Sequence, residues 1–130
     1  MLKYLSLVLL FVSTTVFAES KIETEKLTKA EINSVLIDHT YPLGGKELKK
    51  LKGAMYFSSD GTLELIWEGK RGTGKWKAES KSRFCYSQTL WSGKECITLL
   101  RNKTDGGFIH IFEGQTRVLK EGAIEKGNKI

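Results

Sequence analysis

From residue 51 onwards, apolar and polar positions alternate in short runs separated by turn residues. Thr62-Leu63-Glu64-Leu65-Ile66-Trp67-Glu68 puts Leu63, Leu65 and Trp67 on one face and Thr62, Glu64 and Glu68 on the other, the period of a half-buried strand. Leu51 to Ser58 alternates likewise, with Leu51, Met55 and Phe57 inward. Ser59-Asp60-Gly61 between these two runs predicts a hairpin. Gly69 to Gly72 reads as a turn, and Gly74 to Ala78 as a strand with Trp76 inward. Two runs rich in aromatic and β-branched residues then flank Ser92-Gly93. Phe108 to Phe112 and Thr116 to Lys120 are the last strands, joined by a turn at Glu113-Gly114-Gln115. Trp67 and Trp76 are expected in the core.

One stretch carries the helical period instead. Thr28-Lys29-Ala30-Glu31 is a capping box, Leu27 and Ile32 stand at the positions of a hydrophobic staple, and Ile32, Val35 and Leu36 form one apolar stripe. So short a helix needs a surface to dock on. It is expected to stop near Asp38, because the residue before Pro42 avoids helical angles. Runs of short strands with frequent turns predict a mainly β chain: an antiparallel meander closing into a small barrel or a strongly curved sheet. The single short N-terminal helix would cover one end or one face. Thirteen glycines against one proline suit such curvature.

Met1 to Ala18 has the pattern of an export signal: Lys3 in the n-region, a short apolar run from Leu5 to Val12, and Val16-Phe17-Ala18 before the expected cleavage point. The apolar run is shorter than the roughly 20 residues that span a bilayer as a helix. No second apolar stretch follows. Residues 19–26 are expected as a flexible lead-in, 27–121 as a single β domain and 122–130 as a C-terminal tail. The location this implies is periplasmic or secreted. The formal charge of +6 comes from 21 basic and 15 acidic residues, interspersed along the chain. Such a balance is compatible with weak attraction to anionic surfaces, and it lacks the clustered footprint of a nucleic-acid binder. Lys46, Lys49, Lys50 and Lys52 could join Lys70, Arg71, Lys75 and Lys77 in a patch, or form a solvated edge that discourages strand pairing.

In an oxidising compartment the only two cysteines, Cys85 and Cys96, are most simply a disulfide stapling the hairpin they flank. Direct pairing would place the chain reversal in Gln88 to Gly93. That loop carries Leu90 and Trp91, where a plain hairpin would use small polar residues. Two roles are open to this pair: a partner-facing site, or a fold-back that caps the barrel mouth.

The order Leu27-Thr28-x-x-Glu31-Ile32, Tyr56-Phe57-x-x-Asp60-Gly61-Thr62, Gly74-x-Trp76, Cys85 and Cys96 resembles a group of small exported proteobacterial proteins defined by a domain of unknown function. The resemblance covers about Leu27 to Glu121 and implies a lipocalin-like barrel. It transfers no catalytic residues.

The two histidines, His39 and His110, have no second ligand at local spacing, so neither a metal site nor a cofactor is expected. There is no Gly-x-Ser-x-Gly elbow, and no His-paired nucleophile can be read. Glu64 and Glu68 share one strand face, which is a solvated face rather than a carboxylate pair across a cleft. Gly72-Thr73-Gly74-Lys75 lacks the full phosphate-loop spacing. These features predict a non-catalytic binding module whose partner is a protein or a small apolar ligand. The alternative is a hydrolase with an unrecognised site.

Overall fold

A sheet whose strands all alternate leaves one apolar face uncovered, and a single meander can cover that face only by curling on itself. The computed structural model describes residues 22–44 and 51–130, and there the chain does curl. The elements are β1 (Thr24–Lys26), α1 (Lys29–Leu36), β2 (His39–Gly44), β3 (Leu51–Phe57), β4 (Thr62–Trp67), β5 (Lys70–Ser80), β6 (Arg83–Gln88), β7 (Glu95–Asn102), β8 (Phe108–Phe112), β9 (Gln115–Leu119) and β10 (Glu125–Lys126). They form one antiparallel sheet in the order β10-β2-β3-β4-β5-β6-β7-β8-β9, with β1 paired to β7. The result is a mainly β half-barrel with one short helix.

The helix forms where its punctuation predicts. Thr28 Oγ1 accepts from the Glu31 amide at 3.1 Å, and Glu31 Oε1 accepts from the Thr28 amide at 2.9 Å. Leu27, Ile32 and Leu36 are fully buried under the helix. It covers the end of the half-barrel where β5, β6 and β2 meet it.

The interior is aromatic. Phe57 meets Trp76, Phe84 and Tyr41 edge-on, with ring centroids 5.1, 5.7 and 6.2 Å apart. Edge-to-face geometry of this kind adds about 0.5–1.5 kcal/mol per pair beyond area burial. Trp76 is in the core as expected, its indole Nε1 donating to the Ser58 carbonyl. Trp67 also points inward, but it ends β4 at the open end of the sheet and is half-buried.

Two hairpins turn on the same chemistry. Glu68-Gly69 and Glu113-Gly114 hold both residues at positive φ, the geometry of a two-residue turn that matches strand twist. The turn expected over Gly69 to Gly72 is therefore tighter, and β5 starts already at Lys70. Gly72 then lies inside a strand.

Two expectations are corrected at the chain's margins, and the segment after the helix gains an assignment. The lead-in predicted for residues 19–26 includes a strand, because Thr24–Lys26 lines up beside β7 just past the start of β6. Ser82 joins the two: its hydroxyl accepts from the Leu27 amide and its own amide donates to the Leu27 carbonyl. The tail from residue 122 also docks. β10 pairs with β2, and Thr40 Oγ1 donates to the Gly127 carbonyl and accepts from the Lys129 amide. Finally, the segment after the helix is β2 itself, with Pro42 inside it. Pro42 sits beyond the stretch that β10 covers, on a side of β2 where no strand asks for its missing N–H. The predicted signal, residues 1–18, and Lys46, Lys49 and Lys50 lie outside the described residues.

Cys85 and Cys96 are directly opposed on β6 and β7, with Cα atoms 4.0 Å apart, and are disulfide-bonded. Their neighbours Phe84, Tyr86 and Ile97 face the interior, so the bridge lies on the outer face. The residues span a sequence separation of 11, and closing such a loop contributes about 2.5–3 kcal/mol in the loop-entropy account. Replacing both cysteines with serine is expected to lower the melting midpoint by on the order of 10 °C. A calorimetric scan checks it, and an unchanged midpoint would show that the bridge constrains nothing the fold needs.

Candidate functional site

Strand ends opposite α1 define the open end of the half-barrel. Gly44 closes β2 there, Trp67 closes β4, the β6–β7 loop arches over, and Phe112 closes β8. Between them lies a cavity of about 430 Å³. Its walls come from Leu43 and Gly44 of β2, Trp67 of β4 and Tyr86 of β6. Trp91 of the loop, Glu95 and Ile97 of β7, and His110 and Phe112 of β8 complete it. Of the sequence-predicted pair, Trp91 lines the cavity, while Leu90 lies outside its wall and packs at Gly72 of β5.

Gly72 leaves room for Leu90: a Cβ there would stand 2.9 Å from Leu90 Cγ and 2.9 Å from Thr89 Oγ1, so a side chain at this position would push the loop residues aside. Thr89 clasps β5 from the other side: its amide donates to the Thr73 carbonyl, and its hydroxyl accepts from the Thr73 amide. Gln88 shapes the loop further, accepting from the Leu90 amide and donating to the Trp91 carbonyl. Both Leu90 and Trp91 end half-buried against the core. The Trp91 ring meets Trp67 at 73° with centroids 5.9 Å apart.

Two polar pairs reach the cavity. The Tyr86 hydroxyl donates to Glu95 Oε1 at 2.7 Å, and burial together with that bond pushes the phenol well above its ordinary range. Deeper in, the Tyr41 hydroxyl and His110 Nδ1 share a hydrogen bond of 2.6 Å. Burial first, and the nearby Arg117 second, pull the His110 imidazole down to about 4, so it is neutral at pH 7. Arg117 stands next to His110 across the β8–β9 ladder. Its Nη2 donates to the Pro42 carbonyl at 3.0 Å, while buried Nη1 has no partner among the described residues.

The other candidates stay apart. Cys85 is bonded to Cys96 and faces away from His110, so no thiolate–imidazole pair exists. His39, at the helix end of β2, has Nδ1 against the Ile37 carbonyl at 2.8 Å. Among the described residues no group of three or more His, Cys, Asp or Glu side chains could hold a metal ion. Glu64 is exposed on the outer face, and Gly72 to Lys75 run inside β5 with no helix following. Arg71, Lys75 and Lys77 are exposed along β5; they face the outside, not the cavity.

Sequence reading did not single out Tyr41, Tyr86, Glu95 or Arg117. Alternation places Tyr86 with Phe84 and Arg117 with Leu119 on inner faces, a legible signal. Tyr86 and Glu95 meet as cross-strand partners in one hairpin, while Tyr41 and Arg117 reach across to His110 and Pro42 only through the curl. Comparison with protein-family models, curated proteins and solved structures gives no match to this chain.

His110 makes stability depend on pH with a defined sign. The unfolded imidazole takes its proton near 6.5 and the folded one near 4. The unfolded state thus binds more protons in that window, and stability falls as the pH drops from 6.5 to about 4. The loss amounts to roughly 3 kcal/mol. Denaturant melts across this range are expected to show it, and a His110→Gln variant to flatten it. An equal loss in the variant would assign the effect elsewhere.

Proposed function

We propose that the protein is an exported, non-catalytic binding module that takes a small apolar ligand in the cavity at the open end of its half-barrel. The observation carrying this reading is the cavity itself. Its roughly 430 Å³ falls within the usual range for small-molecule sites, and apolar and aromatic walls surround a few convergent polar groups. Leu90 and Trp91 serve the ligand rather than a flat protein surface, since both fold inward over β5 and Trp91 forms part of the wall. The polar groups nearby are already paired with each other, Tyr86 with Glu95 and Tyr41 with His110, which favours holding a ligand over turning one over. Export is supported by the leader pattern of Met1 to Ala18 together with the oxidised cysteine pair. The lipocalin-like resemblance points the same way.

Titrating N-phenyl-1-naphthylamine into the oxidised mature protein tests this. A saturable, blue-shifted rise in emission is expected, with Trp91→Ala weakening binding by about tenfold through loss of one aromatic wall. Absence of saturable binding, or a Trp91→Ala variant that binds as well, would refute it.

A further inference from the structure

The cavity wall holds four aromatic rings, Trp67, Tyr86, Trp91 and Phe112, and a single carboxylate, Glu95. No lysine or arginine lines it among the described residues, in a chain whose formal charge is +6. The one basic ring in the wall, His110, is uncharged at neutral pH. Tyr86 occupies one oxygen of Glu95, and no hydrogen bond to Oε2 is found among the described residues. The indoles of Trp67 and Trp91 stand at 73° to one another and make a corner. Their ring faces are electron-rich, and such faces attract cations most strongly where water is excluded.

From these residues we infer that the ligand is a small quaternary-ammonium cation, seated between Trp67 and Trp91 with Glu95 as its counter-charge. This rests on the reading of the cavity as a ligand site and narrows its ligand from an apolar molecule to a cation with an apolar methyl shell. The class follows from hydrogen-bond supply. A primary ammonium brings three N–H donors that need acceptors, and the aromatic wall offers little beyond Glu95 Oε2. A quaternary ammonium brings no donor to satisfy, and its methyl groups suit apolar walls. Lys52 opposes the inference, because its exposed ammonium lies 6.0 Å from the Trp67 ring centroid, but it does not line the cavity and is open to solvent screening. Arg117 opposes the inference, because its charge lies next to His110. It is not part of the wall, however; Nη2 is spent on Pro42 and Nη1 is sealed from solvent.

Three ligands of nearly one shape decide between these charges: choline, the neutral 3,3-dimethylbutan-1-ol and the anionic 3,3-dimethylbutanoate. Each is titrated at pH 7 into the oxidised mature protein, following tryptophan emission. Choline is expected to bind at least about tenfold tighter than the alcohol, with the anion weakest. Glu95→Gln keeps an acceptor for Tyr86, so it should reduce choline to about the alcohol's affinity while leaving naphthylamine binding within about twofold. Trp91→Leu should erode the choline preference as well. Equal affinities for choline and the alcohol, tightest binding of the anion, or no effect of Glu95→Gln would each overturn the inference. If the naphthylamine binds and choline shows no advantage, the cation alone is wrong. If neither binds, the ligand cavity falls with it.

Discussion

Tyr41 joins the two ends of the sheet. It stands on β2, near one margin, and its hydroxyl meets His110 on β8, one strand from the other. Its ring also packs on Phe57 and Phe84 at the centre of the aromatic interior. A curled sheet without this link would present two unpaired margins and an exposed apolar face. Arg117 adds a second link, from β9 to the Pro42 carbonyl, through a side chain where a closed barrel would use a strand ladder. The half-barrel is thus drawn together by two polar side-chain contacts laid over a shared apolar core.

That mode of closure explains the cavity. Ladder closure would bring β2 and β9 to roughly 5 Å and fill the seam with side chains, as small barrels do. Side-chain closure holds the margins together at mid-height and leaves the end away from α1 open. Gly72 leaves room for Leu90 and Thr89 of the β6–β7 loop to lie on β5. The disulfide anchors the hairpin that carries the loop from the outer face, so it takes no interior space. Rigidity and room are supplied by different faces of the same hairpin.

The buried polar groups stabilise the closure at a cost. His110 must stay neutral and Arg117 must keep its charge partly desolvated, both shifted downward by burial. Such groups would be replaced by apolar residues if stability alone mattered. Their position beside the cavity fits a protein that spends stability to keep a shaped, polar-edged space.

Much of this architecture was determined by local sequence. The capping box of Thr28 and Glu31, the Asp60-Gly61 hairpin, the alternation of Leu63 and Leu65, and the opposition of Cys85 and Cys96 all depend on residues close in the chain. Their periods and turn chemistry are therefore legible without a fold. Strands β1 and β10 were not, since their ladders are made with distant partners: Thr24 with Asn102, Glu125 with Thr40. Pro42 served only to end the helix, and a margin free of ladder partners makes it tolerable inside β2. The cavity belongs to the same class. Leu90 and Trp91 stood out as misplaced apolar residues in a turn, but their inward packing is made with other strands, Leu90 at Gly72 of β5 and Trp91 on Trp67 of β4. Tyr86 and Glu95 meet in the β6–β7 hairpin register set by the cysteines, but Trp67, Leu43 and His110 join them only through the curl of the sheet. Local pattern determined which face each residue takes; the long-range closure of the sheet decided which faces meet.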